Sequence, residues 1–165
     1  MVHIILACTL NGGIGYKNKI PWSIPEDLQL FKDLTLNKTV VMGRKTWDSL
    51  PDKVKPLPHR KNVIISKSNL NSNSKSNSNI FYVDSIESAL ESYPDGIYIG
   101  GAQIYNTLID KNLVTSANIT FVHNSFTCDT FVNIDKLRNR THNIVDVKKN
   151  DVFTHMYITF FTSHF

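Results

Sequence analysis

An acid placed among apolar residues is the first chemical signal in this sequence. Asp27, Phe31 and Leu34 stand at i, i+4 and i+7, with Leu28 and Leu30 flanking. That spacing predicts a helix over 26–36 whose apolar stripe carries a carboxylate. The stretch Ser23-Ile24-Pro25-Glu26 supplies the start signal, with Ser23 as capping residue and a proline in the first turn. Burial disfavours the charged form of such an acid, so its pKa should rise and it should seek a hydrogen-bonding partner. Two readings stand at this point. Asp27 is either a first-turn acid favoured by the helix dipole, or an acid buried to grip a cationic or amidine-like ligand. Thr120, in the run Asn118-Ile119-Thr120-Phe121, has a hydroxyl able to bond that carboxylate, and fits an ordinary strand threonine equally well.

Two glycine-led helix starts suggest anion recognition. Met42-Gly43-Arg44-Lys45-Thr46-Trp47 follows an apolar run, so free backbone amides, two cations and a hydroxyl gather at the positive end of a helix. Taken alone, it reads equally as a solvated, charged helix start. Ile99-Gly100-Gly101-Ala102-Gln103-Ile104-Tyr105 repeats the arrangement. The Gly-Gly pair implies a backbone shape closed to side chains, or close approach by a ligand. It is not the Gly-x-Gly-x-x-Gly fingerprint of the classical dinucleotide fold. Two such starts in one small sheet suit a dinucleotide with separated phosphates.

These residues need a scaffold, and the apolar pattern supplies one. Short runs at 2–9, 39–42, 62–65, 80–83 and 96–99 read as buried strands. Helical spacing occupies 26–36, 45–50, 85–92 and 102–109, the third with Asp84 and Glu87 as a capping box. Strands at 117–123, 143–148 and 152–162 follow. This order predicts an α/β fold with a mostly parallel central sheet, an antiparallel C-terminal edge and about four flanking helices. The 165 residues fit one domain. Residues 66–79 hold six Ser, five Asn, two Lys and one Leu, which predicts a mobile surface loop inside that domain.

Composition narrows the function classes. No apolar run reaches the roughly 18 residues of a membrane span, and the N-terminal run lacks a basic leader segment, so a cytoplasmic location is expected. Cys8 and Cys128 read as reduced thiols, and no metal or disulfide staple is required at this length. The net charge of +4 comes from 18 basic and 14 acidic residues that are scattered rather than clustered. It fits a pocket for a small anion as well as it fits nucleic acid.

The chain closely resembles dihydrofolate reductase. The resemblance lies in Ala7 with Asn11-Gly12-Gly13-Ile14-Gly15, in Pro21-Trp22-Ser23-Ile24-Pro25-Glu26-Asp27-Leu28-Gln29-Leu30-Phe31, in 41–47, 56–62 and 99–105, and in Asp129-Thr130-Phe131. It implies NADPH-dependent reduction of 7,8-dihydrofolate to 5,6,7,8-tetrahydrofolate, with hydride passing from nicotinamide C4 to pterin C6 and a proton to N5. Asp27 would be the pocket carboxylate, bonding the pterin 2-amino group and N3, with Trp22 helping to hold a water and Thr120 steadying the network. Ile5, Leu28, Phe31, Leu50, Leu57 and Ile99 would wall the substrate pocket, and Arg60 would pair with the carboxylate of the glutamate tail.

The same resemblance assigns the cofactor site. Ala7, Ile14 and Tyr105 would surround the nicotinamide. Gly100, Gly101, Ala102 and Gln103 would hold one part of the diphosphate, with the Gly100-Gly101 bond cis, and Gly43, Lys45 and Thr46 the rest. Arg44, Ser66 and Lys67 would surround the 2′-phosphate and adenosine. Residues 9–24 would form a loop that closes over the nicotinamide. Ile20 stands where bacterial members often carry methionine, and the insert at 51–55 is more like eukaryotic members. Antifolates would bind, and a monomer is expected. Two alternatives make different demands. A reductase of the riboflavin-biosynthesis type would not need Trp22, Asp27, Phe31 and Arg60 together, and a nucleic-acid module would need clustered cations with exposed aromatics.

Overall fold

The computed structural model describes residues 1–68 and 79–162. Its main sheet is built from β1 (His3–Thr9), β3 (Thr39–Gly43), β4 (Lys61–Ile65), β5 (Ile80–Val83), β6 (Ile97–Tyr98), β7 (Ser116–Val122), β9 (His142–Lys149) and β10 (Phe153–Phe160). The strand order is β5-β4-β3-β6-β1-β7-β10-β9. Every pairing from β5 to β7 is parallel, and β10 runs antiparallel to both β7 and β9. Two short strands, glycine-containing β2 (Gly13–Gly15) and β8 (Thr130–Phe131), form a separate antiparallel pair.

Side-chain alternation along the strands separates two faces. Ile4, Leu6, Cys8, Val41, Val63 and Tyr98 enter a large core with α3 (Ile86–Ser92), α4 (Ala102–Asp110) and α5 (Ile134–Arg138). On the opposite face, Val40, Met42 and Ile64 pack with Trp47, Leu57 and Phe31, beneath α1 (Pro25–Thr35) and α2 (Arg44–Ser49). Residues of β1, β7 and β10 that face α1 are more polar: His3, Asn118, Thr120 and His155. That polarity marks the part of the sheet where chemistry is positioned.

Several local expectations need correction. The described residues hold five α-helices and a short 3-10 turn at Asp52–Val54, against about four expected helices. The unforeseen α5 is five residues long, too short to show a period. Ser23 does not cap α1: the N-cap is Ile24, with no side-chain cap bond, and Pro25 at N1 removes one of the amides that would need one. The capping residue of α3 is Ser85, whose Oγ accepts from the Ser88 amide, while Asp84 accepts from the Ser88 hydroxyl. Glu87 instead pairs with Lys111. Phe31, on the apolar stripe, and Trp22 are only half-buried, and Leu28 is 59% exposed. The apolar stripe of α1 is therefore only partly covered: Phe31 and Leu30 pack against core clusters while Leu28 stays exposed. Of the Ser/Asn-rich segment, residues 69–78 lie outside the described residues.

The stretch after β1 is clasped by the β2–β8 pair. Gly12 has φ +87° and its carbonyl accepts from the Val132 amide at 2.8 Å. A Cβ on Gly12 would lie 2.4 Å from the Val132 carbonyl oxygen, a backbone atom with little room to yield. Gly12→Ala should therefore cost about 2 kcal/mol, seen as a lower melting temperature and faster exchange of the Val132 amide. Unchanged melting and exchange would contradict this clasp.

Candidate active site

Asp27 lies in the first turn of α1, directly over β7. The Thr120 hydroxyl donates to Asp27 Oδ1 at 2.6 Å, and Thr120 itself is 2% exposed. Parallel pairing sets Ala7 beside Thr120 and Ile5 beside Asn118, so Ile5, Ala7 and Thr120 share the face beneath Asp27. Burial pushes the Asp27 pKa above its ordinary value, while the Thr120 bond and the nearby His155 pull it partly back. Asp27 thus sits in the first turn of its helix, as the dipole reading requires, and also bonds the sheet through Thr120.

Arg60 is fixed before any ligand arrives. It is 7% exposed although His59 and Lys61 are exposed. Its Nε donates to the Pro58 carbonyl at 2.9 Å and its Nη1 to Thr35 Oγ1 at 3.0 Å, with Phe31 beneath the guanidinium at 6.0 Å. Asn62 holds the turn that carries it: Oδ1 accepts from the Leu57 amide, and Nδ2 donates to the Leu57 and Arg60 carbonyls. Arg60, Lys38, His59, Lys61 and Leu34 line a cleft of about 1080 Å³. Sequence reading missed Asn62 and Thr35. An asparagine opening an apolar strand was the only available signal for the first.

The apolar candidates divide into two groups. Leu57 is buried with Trp47, and half-buried Phe31, Leu50 and Ile99 pack against the same cluster. Leu28 faces outward. Trp22 joins Ile24, Leu30, Val122 and Phe153, with its ring tilted against Phe126 at 5.4 Å.

The two glycine-led starts prove to be one junction. The Gly43 amide donates to the Gly100 carbonyl at 2.8 Å, and the Gly100-Gly101 bond is cis. A Cβ on Gly100 or Gly101 would come 3.2 or 3.1 Å from Thr46 Oγ1, so the junction keeps these positions free of side chains. Tyr105, four residues on, sends its hydroxyl to the Ile5 carbonyl at 2.5 Å and so ties α4 to β1. Ala7 and Ile14 are half-exposed nearby in sequence, while Ala102 is half-exposed and Gln103 exposed on the first turn of α4. Lys45 is exposed, and Arg44 donates to Asp48 at 3.0 Å. Gly43 pairs with Ile65, so buried Ser66 and exposed Lys67 emerge one strand away. Bare backbone, a hydroxyl and cations at the same sheet end form a donor set that suits a phosphorylated dinucleotide.

The raised pKa of Asp27 has a consequence for stability. The folded state holds this proton more tightly than the unfolded chain does, so the contribution is present at acid pH and lost as pH rises through the folded value. Asp27→Asn removes the buried charge. Its melting temperature should exceed that of the wild type at pH 7 and above, and the gap should close toward pH 4. A constant gap across this range would contradict the burial argument.

Comparison with known proteins identifies a family for the whole chain. The family described as dihydrofolate reductase matches residues 1–163. A dihydrofolate reductase of Candida albicans is 42% identical over 134 residues, covering 73% of this chain and 69% of that protein. One from Buchnera aphidicola is 44% identical over 131 residues, covering 76% and 77%. A bifunctional dihydrofolate reductase-thymidylate synthase of Paramecium tetraurelia is 40% identical over 134 residues, covering 79% of this chain and 28% of that protein. The buried acid, the pinned arginine and the glycine junction thus have a common explanation: the chain belongs to the dihydrofolate reductase family, and its reaction is the NADPH-dependent reduction of dihydrofolate.

Proposed function

We propose that one domain spanning 1–165 carries out this reduction with Asp27 as its catalytic carboxyl. NADPH supplies the hydride, which reduces the pterin at C6. Asp27 binds the 2-amino group and N3 and promotes protonation at N5. The observation that carries this role is the 2.6 Å bond from Thr120 to a carboxyl whose burial favours the protonated form. Thr120 orients that carboxyl, and Trp22 helps to hold a water beside it. Ile5, Leu28, Phe31, Leu50, Leu57 and Ile99 wall the substrate. The exposure of Leu28 suits a residue that ligand covers.

Arg60 takes the carboxylate of the glutamate tail, and its fixed guanidinium makes that contact without further ordering. Gly43, Arg44, Lys45, Thr46, Ser66, Lys67 and the 100–103 turn hold the cofactor's phosphates, with Ala7, Ile14 and Tyr105 at the nicotinamide. Closure of 9–24 excludes water from the reacting atoms. No described helix is long and apolar enough to cross a membrane. We assign the protein to the cytoplasm and to a monomeric state, with antifolates as competing ligands.

Steady-state oxidation of NADPH with dihydrofolate tests the assignment. Asp27→Asn should lower kcat at pH 7 by about 10²-fold or more. Arg60→Gln should instead raise KM for dihydrofolate roughly 10- to 100-fold, the loss of a charge-assisted contact, with kcat little changed. An Asp27→Asn enzyme of wild-type rate, or an Arg60→Gln loss confined to kcat, contradicts these roles.

A further inference from the structure

The hydrogen bond at Asp27 does not stop at Thr120. Thr120 Oγ1 lies 2.9 Å from His155 Nδ1, because His155 is the antiparallel partner of Thr120. His155 Nε2 lies 3.0 Å from Asn118 Oδ1, Asn118 Nδ2 lies 2.8 Å from His3 Nε2, and His3 Nδ1 lies 2.6 Å from Ser116 Oγ. A polar line therefore runs from the carboxyl across β7, β10 and β1. His155, Thr120 and Asn118 are all buried, His155 at 8% exposure, so donors and acceptors along it must match.

Counting hydrogens limits the states of this line. The Asn118 carbonyl needs a donor, which makes His155 Nε2 an N–H. The Thr120 hydroxyl has one hydrogen and faces two groups, Asp27 Oδ1 and His155 Nδ1. If Asp27 is ionised and His155 neutral, both are acceptors and one is left unmatched. One additional proton repairs the line in either of two ways. Asp27 holds it and donates to Thr120, which donates to Nδ1. Alternatively His155 holds it and donates to Thr120, which donates to the carboxylate. The two forms interconvert without loss or gain. The Asp27 O–H bond breaks as a new Thr120 O–H forms, and the original Thr120 O–H breaks as an Nδ1–H forms.

We propose that His155 is a positioning residue of the reaction, sharing one proton with Asp27 through the Thr120 hydroxyl and so keeping that carboxyl supplied from the side away from the substrate. This rests on the assignment of Asp27 as the catalytic carboxyl. The surroundings are consistent with it. Burial, with Lys148, holds the His155 pKa below its ordinary value, against the pull of Asp27 and Asp146, while burial raises that of Asp27, so the two proton affinities are drawn toward each other. His3, at the far end, is pushed down to about 4 by burial and Lys38, and remains a neutral link. Glu26, the neighbouring acid of α1, is turned to Asn150 at 3.3 Å and lies outside the line.

Carbon-13 and nitrogen-15 NMR of the labelled, ligand-free enzyme reads the sharing directly. His155 should keep Nε2–H throughout, while its Nδ1 signal and the Asp27 carboxyl carbon titrate with one common midpoint. In Asp27→Asn the imidazole midpoint should move toward acid by about one unit. Separate midpoints in the wild type, an Nδ1–H tautomer of neutral His155, or an unmoved midpoint in Asp27→Asn would overturn the proposal. His155→Gln provides the functional readout. Removing one of two places for the proton lowers the midpoint of the hydride-transfer pH profile, by about 0.3 units if sharing is equal and by more if the imidazole holds most of it. KM for dihydrofolate should stay unchanged, which loss of packing alone would not guarantee. A profile superimposable on that of the wild type, with dependence on Asp27 intact, overturns the sharing only. Full activity of Asp27→Asn overturns the reading beneath it, and the NMR titration still decides the sharing by itself.

Discussion

The hydrogen bond from Thr120 to Asp27 joins a helix to a sheet at the one place, among the described residues, where a side-chain carboxyl lacks full access to water. Around it, burial raises the proton affinity of the acid, and the hydroxyl keeps the charged form from being prohibitively costly. Both requirements constrain the scaffold. Pro25 starts α1 so that Asp27 falls in its first turn, and β7 must present Thr120 in register with Ala7 of β1. A shift of one residue in that strand would turn Thr120 to the opposite face and leave the acid against an apolar side chain.

The glycine junction follows from a different constraint, the close approach of two backbone turns. Gly43 and Gly100 meet through a main-chain bond, and Thr46 occupies the space that side chains at 100 and 101 would need. Tyr105 couples this junction to β1 through the Ile5 carbonyl. The glycine junction and the face of β1 beneath Asp27 are thus tied together by hydrogen bonds. The mild excess of positive charge is used locally, with Arg60 buried beside Phe31, and with Arg44, Lys45 and Lys67 at the strand ends that surround the junction.

Much of this was legible before any coordinates. Spacing along α1 identified Asp27 as anomalous, and the paired glycine-led turns stood out as unusual backbone, because both signals are local in sequence. The strand-helix alternation gave the parallel sheet and its antiparallel edge for the same reason. Features that depend on register were not legible. His155 lies 35 residues from Thr120, and only the pairing of β10 with β7 brings them together. Asn62 looked like a strand residue, yet its amide organises the turn that buries Arg60. The apolar stripe of α1 misled in one respect: hydrophobic spacing cannot tell whether a flanking apolar residue meets the core, and Leu28 is exposed.

The fold itself makes Asp27 a reluctant anion. Infrared difference spectroscopy of the ligand-free protein, wild type minus Asp27→Asn, isolates the stretching band of this one protonated carboxyl across a pH titration. The account predicts a midpoint above the ordinary aspartate value of 3.8, with the band persisting where exposed carboxylates are already ionised. A midpoint at or below 3.8 would mean that the Thr120 bond and the neighbouring imidazole outweigh burial, and would contradict it.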